Sequence, residues 1–172
     1  MEEVGPGLAL HSPSLALLPS FRAALTEYHA EGRHLELTPE LLPEYIASLM
    51  ERIHPTSPER VPETVFWGVV RGEYVGRVSL RHHLNERLDA WGGHIGYEAR
   101  PSRRRRGYGH ALLAGVLPYA WALGLTRVLL HCDETNLASI RIIEGTGGVF
   151  AGSRSNLERE GAPGRAYWTE RG

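Results

Sequence analysis

Four consecutive arginines, Arg103 to Arg106, run directly into Gly107-Tyr108-Gly109, and an apolar pattern with helical spacing follows at once. A strand, a tight Arg/Gly loop and a helix start, in that order, make a recipe for an anion site. The first turn of a helix has N–H groups without intrahelical partners, and the helix dipole favours negative charge there. Glycine lets the backbone approach a ligand with no Cβ in the way. Neighbouring guanidinium groups add charge-assisted hydrogen bonds. A pyrophosphate suits such a loop. The stretch lacks the Gly-x-Gly-x-x-Gly of a dinucleotide loop and the Gly-Lys-Ser/Thr of a Walker loop. A solvated basic turn is the plainer alternative. A DNA-binding role fits less well, because no recognition helix and no interleaved aromatics accompany the arginines.

The elements that must position this loop can be read from periodicity and punctuation. GLALHSP reads as a short strand ended by Ser-Pro. Phe21, Leu25 and Tyr28 mark a helix that stops near Gly32. Thr38 and Pro39 open a second helix as N-cap and first residue, and Leu42, Tyr45, Ile46, Leu49 and Ile53 form its apolar stripe. Two strands flank an Arg71-Gly72 turn. GGHIGYEAR is a strand closed by Pro101, and a helix runs from Gly107 to about Leu123, where Pro118 should kink or split it. TRVLLHCD reads as a buried strand, NLASIRIIEGTGG as a short helix stopped by glycines, and VFAGSR and RAYWTER as a final strand pair. The order, βααβββαβαββ, is an α/β domain.

Composition bounds the rest. The chain has 172 residues with 42% hydrophobic and 23% charged, the make-up of one globular domain. A formal net charge of −1 argues against attraction of the whole molecule to nucleic acid or anionic membrane. Every cationic side chain other than histidine is an arginine, so no lysine is present for Schiff-base chemistry. A single cysteine, Cys132, rules out an intrachain disulfide and suits a reducing compartment. The acidic opening lacks the basic start and apolar core of a secretion signal, and no run approaches the ~18 apolar residues of a membrane span. A cytoplasmic location is therefore expected.

The spacing Arg104-x-x-Gly107-x-Gly109 resembles the Arg/Gln-x-x-Gly-x-Gly/Ala loop of the GNAT superfamily of acyl-CoA N-acyltransferases. CDETNLASIRIIEGTGG is similar to the segment after the next strand in that family, with Asn136, Ser139 and Gly147 on its Asn, small and terminal-glycine positions. The resemblance is dense from about Phe66 to Phe150 and weak before it. It implies one domain over 1–172, with a mixed central sheet, a splayed parallel strand pair, and helices on its flanks. The splayed pair would be GHIGYEAR and TRVLLHCD. It further implies acetyl-CoA as cosubstrate, with no metal. The pantetheine arm would pair with the first strand near Ala99 and with Asn136, beside Ser139. The pyrophosphate would lie on the N–H groups of Arg104, Arg105, Arg106, Gly107, Tyr108 and Gly109. Acetyl transfer to a primary amine, directly within a ternary complex, is the implied activity; a CoA-binding sensor without catalysis is the alternative. The implied partner is an amine-bearing acceptor, not nucleic acid or membrane, and a homodimer is left open.

Such a reaction needs a base. An alkyl amine with a lysine-like pKa is ~99.9% protonated at pH 7, and an α-amine, with pKa about 7.7–8.0, less so. The candidates are His131 on the second strand of the pair and His94, Tyr97 and Glu98 on the first. His131 titrates in the useful range and lies five residues before Asn136, where some relatives carry an acidic base. A histidine satisfied within the sheet is its structural alternative. Glu98 also reads as an ion-pair partner of Arg100 or Arg103. Strand alternation puts His94 and Glu98 on one face and Tyr97 on the other. Arg81, His82 and His83 lie where this fold often takes its acceptor. Cys132 reads as a small buried residue rather than a nucleophile. Many family members carry a Tyr acid seven residues after the Asn, and here that position is Ile143. The resemblance therefore supplies no general acid.

Overall fold

The computed structural model describes residues 7–172, so the acidic opening read from the sequence begins outside the described residues. The elements are β1 (Ala9–His11), α1 (Leu18–Ala30), α2 (Leu42–Glu51), β2 (Glu63–Val70), β3 (Glu73–Arg81), α3 (Glu86–Ala90), β4 (Ile95–Ala99), α4 (Tyr108–Ala122), β5 (Arg127–Asp133), α5 (Leu137–Gly145), β6 (Val149–Ser155) and β7 (Pro163–Glu170). This is the order read from the sequence with α3 added. The added helix is a single capped turn, in which the Asn85 side chain accepts from the Leu88 N–H at 3.0 Å. Arg71 and Gly72, at φ 50° and 78°, turn β2 back on β3, as two left-handed residues do in a tight hairpin.

Three local expectations change. Thr38 makes no capping bond; it precedes a short 3₁₀ turn over Pro39–Leu41, and α2 starts at Leu42. Ile53 lies beyond α2 and is exposed, so the apolar stripe ends at Leu49. Pro118 sits inside an uninterrupted α4. The ring costs that helix one backbone donor, and burial of its flanking turns, including Val116 and Ala120, holds it together.

Two sheets result, ordered β1-β2-β3-β4 and β5-β7-β6, and every ladder between named strands is antiparallel. The splayed parallel pair is not present as a ladder. Instead β4 and β5 belong to different sheets that touch at one bridge of antiparallel type, Gly93 with Leu130. The His94 N–H donates to the Leu129 carbonyl at 2.7 Å, and the His94 ring Nδ1 accepts the Leu129 N–H at 2.9 Å. A side chain thus takes a donor that a continuing ladder would use, and pairing stops where it starts.

Two apolar clusters sandwich the first sheet. On one face α4 and α5 bury Leu112, Leu113, Val116, Ile140 and Ile143 against Val78, Leu80, Ile95 and Leu130. Each such side chain contributes about 1.5–3 kcal/mol relative to exposure. The paired glycines Gly68 and Gly76 form the socket for Leu112: a Cβ on either would come within 2.7 or 2.9 Å of its methyl carbons. On the opposite face α1 and α2 cover Trp67 and Tyr74, with Phe21 stacked on Trp67 at 4.6 Å between ring centroids. No helix among the described residues is long and apolar enough to cross a membrane.

Candidate active site

The Arg/Gly stretch does become a helix start. Gly107 occupies the N-cap of α4 at φ 81°, a conformation that favours glycine, and no side chain caps the helix. The first recorded bond is from the Ala111 N–H to the Gly107 carbonyl at 3.0 Å. Among the described residues the N–H groups from Arg105 to His110 find no acceptor in the protein. A run of donors at the positive end of a 15-residue helix fits an anion and leaves each donor unsatisfied without water or ligand.

The arginine side chains are used differently from the sequence expectation. Arg104 pairs with both carboxylate oxygens of Glu31, at 2.7 and 2.8 Å. Arg103 pairs with Glu73, and Arg100 with Glu27. The chain spends these guanidinium groups on its own carboxylates, so the loop offers backbone donors and, in side chains, Arg105 and Arg106. This also removes most of the basic patch that a nucleic-acid reading requires. Gly109 has a packing reason for its identity: a Cβ there would lie 2.7 Å from the Cδ1 of Ile142 on α5.

The facing edges of β4 and β5 are open. The Arg100 N–H donates to the Val75 carbonyl, and the Arg81 N–H to the His94 carbonyl, so even-numbered residues of β4 turn their backbone to β3. By strand alternation Ile95, Tyr97 and Ala99 turn theirs to the unpaired edge. Among the described residues the only ladder on β5 is with β7. Beyond the Gly93–Leu130 bridge, both strands therefore carry an unpaired backbone edge.

Around this gap the side chains separate by face, as alternation predicts. Tyr97 lies with the α4–α5 cluster, and its hydroxyl meets Ser139 Oγ at 2.8 Å. Burial pushes its pKa up to about 12, only partly offset by the Ser139 bond. Asn136 caps α5, its Oδ1 accepting from the Ser139 N–H at 3.1 Å, which leaves its amide N–H groups free. Ile143 is buried in the core, 1% exposed. Cys132 faces the same core, and burial raises its thiol pKa to about 11, so it stays protonated.

On the other face Glu98 is surrounded. Arg33 contacts it, His34 Nε2 lies 2.9 Å from one oxygen, and Arg77 Nε lies 3.4 Å away. Burial alone would raise its pKa, but these partners outweigh it and hold the carboxyl below its ordinary range. The sequence partners, Arg100 and Arg103, are elsewhere. His94 is buried in the junction, with its pKa lowered to about 4 by burial and the Arg81 charge. His131 stacks on Trp91 at 5.3 Å, both ring nitrogens buried without a partner. Burial, helped by the Arg154 charge, lowers its pKa to about 4.

Trp91 is the residue that sequence reasoning missed. It borders a cleft of about 840 Å³ with Glu63, Arg81, Arg87, Arg52 and Glu158. The cleft is polar and carries both signs of charge. Arg81 donates to the Gly92 and Gly93 carbonyls, both at 3.1 Å, and so ties the cleft floor to the sheet junction. His82 is instead bound to Thr64 at 2.7 Å, and His83 is exposed. The only sequence signal for Trp91 was its place beside Gly92-Gly93.

A divided sheet with open edges, an uncapped glycine helix start at one end and a polar cleft at the other defines the class: an α/β acyltransferase-type fold. Residues 14–149 match the acetyltransferase (GNAT) domain family, and the chain belongs to that family. No curated protein matches the chain. Among solved structures, the microcin C7 self-immunity acetyltransferase MccE, in complex with acetyl-CoA and AMP, superposes with a TM-score of 0.75 at 12% identity, over 98% of this chain and 99% of that one. The ribosomal L7/L12 alpha-N-protein acetyltransferase RimL, in complex with CoA, gives 0.73 at 14%, over 97% and 96%. A putative ribosomal-protein-serine acetyltransferase from Vibrio cholerae gives 0.69 at 16%, over 99% and 98%. At such identities the likeness is one of fold. The RimL structure holds CoA in a disulfide with one of that protein's cysteines.

Proposed function

We propose that this protein is an acetyl-CoA-dependent N-acetyltransferase that moves an acetyl group directly to a primary amine in a ternary complex. The observation that carries the reading is the run of unpartnered N–H groups from Arg105 to His110 at the left-handed Gly107 cap. These donors would hold the pyrophosphate of acetyl-CoA. The backbone edge at Tyr97 and Ala99 would pair with the pantetheine amides, helped by the free amide N–H of Asn136. The acceptor amine would arrive through the cleft beside Trp91.

In the reaction the amine nitrogen forms a bond to the acyl carbon as the carbon–sulfur bond breaks. The amine proton goes to a base, and the electron pair leaves with the thiolate. His131 is the base in this proposal. It is neutral at pH 7, and it lies behind Trp91 on the cleft side of β5. Displacing Trp91 would wet the ring and bring its pKa back toward the ordinary 6.5. Glu98 would have to leave Arg33, Arg77 and His34 to serve. The leaving thiolate needs little help: a thiol pKa of about 8.5 puts it ~1.5 units, or roughly 2 kcal/mol, above pH 7. That is small beside the ~8 kcal/mol or more that enzymes remove from barriers. Tyr97, protonated and hydrogen-bonded to Ser139 at the start of α5, is a hydroxyl that could donate a proton.

One observation favours a second reading, a CoA-binding sensor without turnover: the family's acid position is filled by core-packed Ile143. Thiol release from acetyl-CoA across a broad panel of amines separates the two. Turnover of any amine supports the enzyme. Tight CoA binding with no turnover selects the sensor, and absence of CoA binding rejects both.

A further inference from the structure

The carboxylates that occupy the arginines come from an element far away in sequence, and one of them is placed to shape the loop. Glu27 on α1 takes three hydrogen bonds. Arg100 Nε and Nη2 donate to one oxygen at 2.8 and 2.6 Å, and the Ser102 backbone N–H donates to the other at 3.0 Å. The third guanidinium nitrogen, Nη1, donates to the Tyr74 carbonyl at 3.3 Å. The Arg100 side chain is 11% exposed and that of Glu27 is 25% exposed. Arg100 is the first residue past β4, and Ser102 lies in the turn that leads to Arg104 and the Gly107 cap. Glu27 thus grips both a side chain and the backbone of the segment joining the open strand edge to the helix start. Glu31, the residue just past the end of α1, holds the Arg104 guanidinium alone and at the surface, 37% exposed, where such a pair is weak.

We propose that Glu27 is a positioning residue for cofactor binding: by holding Arg100 and Ser102 it sets the loop whose N–H groups take the pyrophosphate. This inference rests on the cofactor-binding reading above. The arrangement also explains why cationic side chains so close to the donors pair with carboxylates. Arg100 and Arg104 are tied back to α1, so the backbone N–H groups stay clear for the ligand. Burial alone would raise the Glu27 pKa, but Arg100 and the Ser102 N–H outweigh it and keep the group ionised at neutral pH.

The test compares two acetyl donors in steady-state kinetics, with CoA affinity measured by calorimetry. Acetyl-CoA carries the pyrophosphate; S-acetylpantetheine does not. In Glu27→Ala and the shape-conserving Glu27→Gln, the KM for acetyl-CoA and the Kd for CoA should rise about tenfold or more, the worth of one charge-assisted hydrogen bond. The kcat at saturation, the KM for the acceptor and the KM for S-acetylpantetheine should each stay within about threefold. Arg100→Ala, which leaves the Ser102 bond, should give the same pattern at smaller size, and the double variant Glu27→Ala/Arg100→Ala no more loss than Glu27→Ala alone, because Arg100 acts through Glu27. Glu36→Gln, an exposed carboxylate on the α1–α2 connection, should change nothing. Unchanged CoA affinity in a folded Glu27→Gln protein overturns the inference while leaving the cofactor-binding reading intact. So does an equal loss with both donors, which would mean general loosening of the domain. A wild-type protein that binds no CoA overturns the reading and the inference together.

Discussion

His131 lies under Trp91 with ring planes 17° apart and centroids 5.3 Å apart, and neither imidazole nitrogen has a hydrogen-bond partner among the described residues. A buried pair of unsatisfied polar atoms costs stability, and such a cost persists where the residue does something else. His131→Phe should therefore raise unfolding free energy by about 1–2 kcal/mol, since it keeps the stack and removes the stranded nitrogens. The same variant, like His131→Ala, should lower kcat by ~10²-fold or more with CoA affinity unchanged. Chemical denaturation and kinetics on one preparation check both halves; full activity in the phenylalanine variant would return His131 to a packing role.

Acid sensitivity should trace to the histidines of the junction. His94 titrates near 4 in the folded protein against an ordinary 6.5. Between those values the unfolded chain binds more protons than the folded one, so stability falls as pH drops through that window. After solvent screening we expect about 1–2 kcal/mol from His94 by the acid end. Asparagine can present an acceptor near the Nδ1 position and does not titrate. His94→Asn should thus flatten the stability profile in this window while keeping the bond to the Leu129 N–H.

A second acid step should follow from carboxylates. Burial opposes ionisation of Glu98, but His34, Arg77 and Arg33 hold its pKa below the ordinary 4.5. Its stabilising contribution is complete above that value and disappears as pH falls through the lower folded one. Glu98→Gln should remove this step from an unfolding series and leave Arg33 and Arg77 facing a neutral group. A loss of about 3 kcal/mol or more is expected at pH 7, since breaking a buried ion cluster leaves uncompensated charge. A variant as stable as wild type would show that the cluster is not a structural tie.

At the loop, Gly107 has open space where a Cβ would go, but φ is 81°. Backbone strain rather than collision is then the cost of any side chain, about 1–2 kcal/mol. Gly107→Ala should lower both thermal stability and CoA affinity as the cap relaxes. Arg105 is also left-handed, at φ 59°, so Arg105→Gly relieves strain and should leave CoA affinity within about threefold. Paired melting curves and calorimetry test the contrast; equal losses in the two variants would contradict it.

If the thiolate leaves unprotonated, Tyr97→Phe should reduce kcat less than about tenfold. The kcat/KM profile should rise with pH through the base and acceptor pKa values and then level off. A sharp alkaline fall in a folded, CoA-bound enzyme that is abolished by Tyr97→Phe would instead make the phenol, with its pKa of about 12, the required acid.

Much of the site was legible along the chain because its parts are local. Gly107 and Gly109 mark a loop that a backbone can present to a ligand, and the apolar spacing after them declares a helix. The alternation His94, Tyr97, Glu98 does place Tyr97 on one face and Glu98 on the other. The motif spacing then ties loop, strand and second helix to one family, whose domain match covers residues 14–149. The cleft beside Trp91 was not legible. It is bordered by segments scattered from Ser48 to Glu158, which no window of sequence brings together.

By itself the sequence determined the element order apart from α3, most of the apolar faces and the glycine-lined helix start, since each depends on residues within a few positions of one another. Only the tertiary structure decided what the arginines do and where the sheet divides. Arg100 and Arg104 each meet a carboxylate 73 positions away, and charge alone cannot say whether such a guanidinium serves a ligand or its own chain. Where β4 and β5 divide, the His94 ring takes one backbone donor of Leu129, 35 positions distant. Contacts across such separations are chosen by the packing of whole elements, which a pattern of neighbouring residues does not encode.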